Sequence, residues 1–394
     1  MNRLALPYSA PLLTLPVRAW PQHREYEALA VAAAWTALQA MDPAARAAIL
    51  RERGWASAAL LERVLTEADA TGWRDPHRRL ALARLAVTIA DQIQITEARS
   101  GEHALRVGAL AHLADALRRM GDFAGALRVL AQARDALEPM PVALRARLLR
   151  IEGAVYRSAG HPDAAEALLG RASELFRQTK EPQEEAHALY LLALATGPLA
   201  PTQGIEHARQ ALALVSPLNP ALGLAVRHTL TGFLLEAGDL PAALSLALET
   251  RPLAAQLGET ELLQQSSLEG RLLLALGDGE SAYVLLRSLL RPLRRAGLNR
   301  DLTQVMLELL ALLVHQGKTR QATRRVRCHA ALLRASKADP EVQAAWAELD
   351  PWGNAASVQA RLRQLALLVR VSWRQVPLPP PSIWDEKPSA RPPG

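Results

Sequence analysis

One short phrase recurs along this 394-residue chain and limits what it can fold into: a small or polar residue, a glycine, a few polar residues, then alanine in an amphipathic run. It reads Met120-Gly121-Asp122 leading to Ala126, Ala159-Gly160-His161 leading to Ala165, and Ala237-Gly238-Asp239 leading to Ala243. It returns as Leu276-Gly277-Asp278 leading to Ala282 and Gln316-Gly317-Lys318 leading to Ala322, with a stretched copy at Thr196-Gly197-Pro198 before Gly204-Ile205. The glycines at 121, 160, 197, 238, 277 and 317 are separated by 39, 37, 41, 39 and 40 residues. A chain with six near-equal periods builds stacked copies of one small unit.

Each unit reads as two helices. Leu149, Gly153 and Tyr156 fall at i, i+4 and i+7 before Gly160, and Ala165, Leu169 and Ala172 repeat that spacing after it. The glycine supplies the left-handed backbone that ends the first helix, and the following Asp or Pro starts the second. Further breaks separate the units, at Glu138-Pro139-Met140-Pro141, Lys180-Glu181-Pro182, Pro217 to Pro220, Gly258-Glu259, Gly297-Leu298-Asn299 and Asp339-Pro340. No alternating β-branched or aromatic run suggests a strand.

These residues carry a resemblance to the tetratricopeptide repeat (TPR) family, a helix-turn-helix module. Gly153, Tyr156, Gly160, Ala165, Leu169 and Ala172 match its pattern; Gly270, Gly277, Ala282 and Leu286 match in part, as do Ala114, Leu117, Gly121, Ala126, Leu130 and Ala133. The period near 40 exceeds the usual ~34, the consensus Trp and closing Pro are not in place, and the third unit carries an insertion. The long period looks like repeats in the sensor or scaffold halves of some bacterial regulators. The resemblance implies an all-α, right-handed α-solenoid with helical caps, and a non-enzymatic interaction scaffold or regulatory adaptor that binds a protein or peptide segment in a groove. First helices line that groove in the family. Carried onto this chain, the groove positions are Asp115, Arg118, Arg147, Arg150, Arg157, His187, His228, Gln264 and Arg271. Arg118, Arg147, Arg150 and Arg157 could clamp carboxylates through bidentate guanidinium pairs, or form ordinary solvated surface.

The expected organisation is an extended N-terminal arm over 1–23, capping helices over 24–55, the repeat array over 56–345, a capping helix within 346–375 and a disordered tail over 376–394. That tail holds seven prolines in nineteen residues. All eight tryptophans lie outside the clear repeats, at 20, 35, 55 and 73 and at 346, 352, 373 and 384. Bulky rings suit the sealing of a stack's ends, with stacking on a ligand as the alternative.

Chemical motifs are sparse. Gly317-Lys318-Thr319 resembles the end of a phosphate-binding loop, but Leu312 stands where that motif needs glycine, so a repeat turn is the reading. The ten histidines form no His-Glu-x-x-His, and the single cysteine, Cys328, can join neither an internal disulfide nor a cysteine cluster. We therefore expect no cofactor, no metal and no catalysis. Leu4 to Val17 is apolar but interrupted by Pro7, Pro11 and Pro16, without a convincing cleavage site, and no run of 18 apolar residues occurs. A cytoplasmic protein is expected.

The formal charge of +7 is unevenly placed. Between Arg287 and Lys337 stand twelve Lys/Arg and two acids, so this stretch carries +10 and the remainder −3. Arg320, Arg324, Arg327 and Arg334 share one stripe of a helix that leaves Ala322, Val326 and Leu333 to face the core. A stripe of one sign favours an acidic partner, whether protein, nucleic acid or anionic lipid, over a plain solvated face. A transcriptional regulator using this basic segment on nucleic acid is the alternative function.

Overall fold

The computed structural model describes residues 23–71, 75–96, 100–136, 140–335, 340–349, 355–371 and 377–381. They form eighteen helices and, among the described residues, no strand. The chain divides into two compact units, Met1–Met140 and Pro141–Gly394, with the boundary inside the 56–345 stretch expected to be one array.

The first unit holds α1 (His23–Ala40), α2 (Pro43–Arg53), α3 (Ala58–Ala70), α4 (Pro76–Thr96), α5 (Ser100–Met120) and α6 (Phe123–Asp135). Helices α3 to α6 pack each on the next, with α1 against α3 and α2 against α4. Its core joins Trp35, Leu38, Leu50, Leu60, Leu61, Val64 and Ile89. Trp35 packs inside this helical core. The N-terminal arm expected over 1–23 lies, except for His23, outside the described residues, as do Trp20, Trp73, Trp352, Trp373 and Trp384.

The second unit holds α7 (Val142–Ser158), α8 (Pro162–Gln178), α9 (Pro182–Thr196), α10 (Pro201–Leu214), α11 (Pro220–Ala237), α12 (Leu240–Leu257), α13 (Glu259–Ala275), α14 (Gly279–Arg295), α15 (Asn299–His315), α16 (Thr319–Ala335), α17 (Pro340–Ala347) and α18 (Ala355–Val371). Helices α7 to α16 form five pairs. Each first helix also touches the first helix of the next pair, α7 with α9, α9 with α11, α11 with α13 and α13 with α15. That neighbour-only packing is what a solenoid requires.

The turns explain the sequence period. Gly121, Gly160, Gly238, Gly277 and Gly317 have φ between 70° and 86°, the left-handed region where a side chain is disfavoured. Asp122, Asp239 and Asp278 then cap the following helix, their carboxylates accepting from the N–H of Gly125 (2.8 Å), Ala242 (3.2 Å) and Ser281 (3.0 Å). Gly317-Lys318-Thr319 is one of these turns, between α15 and α16.

Gly197 departs from the pattern. Its φ is −59°, so it does not serve a left-handed turn. A Cβ there would lie 2.1 Å from Cζ of Phe233, and one on Gly204 would lie 2.5 Å from the Cα of Gly197. The stretched third unit keeps glycine because α9, α10 and the Phe233 ring of α11 meet too closely for any side chain.

At the C-terminal end Trp346 is fully buried among Leu313, Val326, Leu362 and Leu365, and its Nε1–H donates to the Val326 carbonyl at 3.0 Å. His329 lies against the same ring, 4.6 Å between centroids. Helix α18 packs on α15.

Candidate functional site

The first helices of the second unit bury most of their surface and leave one polar stripe each. On α7, Ala146, Leu148, Leu149 and Ile151 are buried, while Arg147, Arg150 and Arg157 are half-buried at helical spacing. Because first helices sit side by side, stripes on neighbours meet, most often at a stride of 37 residues.

Arg147 Nη2 lies 3.3 Å from Glu184 Oε1, a separation of 37 residues. Arg150 reaches the other oxygen of Glu184 at 3.3 Å and donates to His187 Nδ1 at 3.1 Å, again 37 residues on. A guanidinium offers no acceptor, so in this pair His187 Nδ1 is the accepting atom. His228 Nε2 meets Gln265 Oε1 at 3.0 Å, also 37 apart; the amide oxygen can only accept, so this nitrogen carries the hydrogen. Burial pushes the His228 ring down to about 4, against weaker opposing contributions from Gln265 and Glu269. Gln264 donates to Asp301 at 3.5 Å at the same stride.

Arg271 of α13 bridges both neighbours, with Nη2 3.2 Å from Glu236 on α11 and Nε 3.6 Å from Glu308 on α15. It lines a cleft of about 360 Å³ together with Glu236, Gln304 and Glu308, which α18 borders through Gln359 and Arg363. The result is a polar ladder in two runs, one joining α7 to α9 and one joining α11, α13 and α15, with donors on one helix facing acceptors on its neighbour.

Of the positions implied by the resemblance, Arg147, Arg150, His187, His228, Gln264 and Arg271 all belong to this ladder. Arg157 lies one stripe position further on α7, half-buried. Asp115 and Arg118 lie in the first unit on α5 and pair with each other at 2.7 Å. Burial would raise the Asp115 carboxyl, but Arg118, Arg119 and Arg79 outweigh it and hold it well below the usual range. Arg118 therefore already spans a carboxylate of its own chain, and so do Arg147 and Arg150 through Glu184. Sequence reasoning missed Glu184, Gln265, Glu236 and Glu308. The 37-residue offset that pairs Arg147 with Glu184 and Arg271 with Glu308 was the signal that could have found Glu184, Gln265 and Glu308.

The basic stripe is elsewhere. Arg320, Arg324, Arg327 and Arg334 are exposed on α16, a second helix, with Ala322, Val326 and Leu333 buried beneath them. Arg287, Arg291, Arg294 and Arg295 are exposed likewise on α14, and Arg287 and Lys318 approach the Tyr283 ring at 5.9 and 6.0 Å. Among the described residues no carboxylate forms an ion pair with the four arginines of the α16 stripe. Cys328 is exposed beside them. No group of three His, Cys, Asp or Glu side chains suited to a metal ion occurs among the described residues, and no described helix is long and apolar enough to cross a membrane.

The architecture has solved counterparts. A Rap protein complexed with competence and sporulation factor is similar at 14% identity with a TM-score of 0.60, over 80% of this chain and 89% of that one. The apo form of RapI is similar at 13% identity with a TM-score of 0.53, over 78% and 85%. The chain shares an all-α repeat fold with Rap proteins. At these identities the likeness speaks for the fold alone. No family model and no curated protein matches the sequence.

Proposed function

We propose that the protein is a non-enzymatic regulatory adaptor whose second unit binds an extended peptide or protein segment along the first-helix ladder. The observation that carries this reading is the ladder itself. Arginine donors at 147, 150 and 271 and acceptors at Glu184, Gln304 and Glu308 run across successive repeats with partly accessible side chains. An extended chain presents amide and carbonyl groups at regular intervals, and an ordered row of donors and acceptors is what recognises it. Arg147 and Arg150 converge on the Glu184 carboxylate, and a carboxylate of an acidic partner takes its place. The Rap structure with a bound factor supports the choice of class.

The test is site-directed photo-crosslinking in cells, with a photoreactive residue at His187 on the ladder or at Val284 on α14. Val284 is 64% exposed, more open than the half-buried His187, so a lower yield there cannot come from poorer access. Crosslinks to one protein from His187 but not from Val284 are expected; equal yields from both positions would reject the groove.

A second reading rests on the two basic second helices. Nucleic-acid binding through α14 and α16 predicts affinity that falls steeply with salt and is lost on replacing Arg320, Arg324 and Arg327 by Glu. Binding that ignores both salt and these changes would dismiss it.

A further inference from the structure

Residues Pro377–Pro381 belong to no helix or strand, and Tyr156 Oη on α7 donates to the Pro379 carbonyl at 2.7 Å, across 223 residues of sequence. The stretch lies within the tail expected to be disordered. Within Pro377-Leu378-Pro379-Pro380-Pro381, Leu378 and Pro381 are half-buried while Pro377, Pro379 and Pro380 are exposed. A polyproline II helix has three residues per turn, so residues three apart share a face. The burial pattern is that of such a helix laid on a surface by one edge.

The chemistry of both sides agrees. Four of the five residues lack an N–H, so the segment is unsuited to helix or sheet and offers chiefly carbonyl oxygens, proline rings and the Leu378 side chain. A site for it needs a donor set beside apolar surface. Tyr156 supplies one: its ring is 2% exposed, and burial, with Glu152 adding to it, pushes the phenol up to about 12, so the hydroxyl keeps its proton at any physiological pH.

The segment also links the two ends of the ladder. It follows α18, which packs on α15 and borders the Arg271 cleft, and it lands on α7, the first ladder helix. Val371, the end of α18, is eight residues before Pro379, a reach of at most ~29 Å.

We propose that the surface around Tyr156 is a docking site for proline-rich, polyproline II segments, held in cis by Pro377–Pro381, so that a proline-rich partner must displace the chain's own tail. This inference needs only Tyr156 and the tail, and stands or falls separately from peptide binding along the ladder.

The probe is a labelled synthetic peptide of residues 376–382, titrated into three full-length chains and read by fluorescence anisotropy. The first is wild type. The second carries Pro377→Gly, Leu378→Ser, Pro379→Gly, Pro380→Ser and Pro381→Gly; the third adds Tyr156→Phe. A tethered segment competes at millimolar effective concentration, so the second chain should bind the peptide about tenfold or more tighter than wild type. Tyr156→Phe should then weaken binding roughly 3- to 10-fold, the worth of one neutral hydrogen bond, with helix content and melting unchanged. A probe peptide with Leu378→Asp should not bind. Equal affinity of the first and second chains, or no binding by either, overturns the proposal; so does a Tyr156→Phe chain that remains folded and binds as well as its parent.

Discussion

Arg147 on α7 and Glu184 on α9 meet at 3.3 Å across 37 positions of sequence, about one helical turn less than the 40 that separate the starts of these two helices. Their pairing turns the repeat into lateral contact, because successive first helices lie side by side and bring residues about one turn out of equivalence against each other. Arg150 shares the same carboxylate, so two arginines converge on one acid.

Glu184→Gln should cost about 1 kcal/mol of stability, because Arg147 and Glu184 keep substantial solvent access and only Arg150 is largely buried. By releasing Arg147 and Arg150 from that carboxylate it should tighten binding of a Glu-rich test peptide about fivefold, the equivalent of ~1 kcal/mol, and the gain should shrink with added salt. Anisotropy titrations at two ionic strengths read both effects. An unchanged or weakened affinity would remove these arginines from the binding face.

Gly197→Ala should destabilise the second unit by about 1–3 kcal/mol, since the new methyl would sit 2.1 Å from Phe233 Cζ and the ring must move. Gly170→Ala is the control. That glycine is inside α8 with nothing within 4 Å of a built Cβ, so alanine should be neutral or stabilise by up to ~1 kcal/mol. Urea midpoints of the pair should move in opposite directions, or only the first should move.

Trp346→Ala removes a fully buried ring and its hydrogen bond to the Val326 carbonyl. A loss of about 3–5 kcal/mol is expected, concentrated at the end formed by α15 to α18. Hydrogen exchange should show those helices losing protection before α7 to α10. A uniform loss along the unit would mean that the ring does not act as a local seal.

His329 is 3% exposed, with Nε2 3.0 Å from Thr303 Oγ1, and burial pushes the ring down to about 4. An unfolded histidine titrates near 6.5, so between these values the unfolded chain holds the extra proton. Stability should be level above pH 6.5 and fall as pH drops toward 4, by about 2 kcal/mol at pH 5 from this residue alone. His228, also lowered to about 4, pulls in the same direction. Denaturation midpoints between pH 7.5 and 5 measure the slope, and His329→Gln should flatten part of it. A midpoint independent of pH in the parent would contradict the buried neutral ring.

Much of the fold was legible in the chain because its signals are local. A left-handed glycine followed by a capping Asp, as at Gly121-Asp122 and Gly238-Asp239, ends one helix and begins the next whatever surrounds it. Apolar spacing around such turns likewise marks which side of each helix is buried, as Ala322, Val326 and Leu333 did for α16. The exposed arginine stripe at 320, 324, 327 and 334 follows from the same geometry, since the residues opposite a buried face must face water.

What the arginines of the first helices touch was not legible, because it depends on contacts between repeats. Phase along one helix shows that Arg147 and Arg150 share a stripe; only lateral packing brings Glu184 and His187 against them. Gly197 makes the same point in the backbone. It stands in the turn series by spacing, yet its reason is the Phe233 ring of another helix. The most distant case is Tyr156 and Pro379. Composition marks the tail as proline-rich and periodicity marks Tyr156 as a repeat aromatic, but nothing local pairs a buried hydroxyl with a carbonyl 223 residues away. By itself the sequence determined the helices, their turns and their buried sides, which arise within a few residues. Tertiary structure decided which polar groups meet, because hydrogen bonds and ion pairs form only between groups that folding has already brought within about 3 Å.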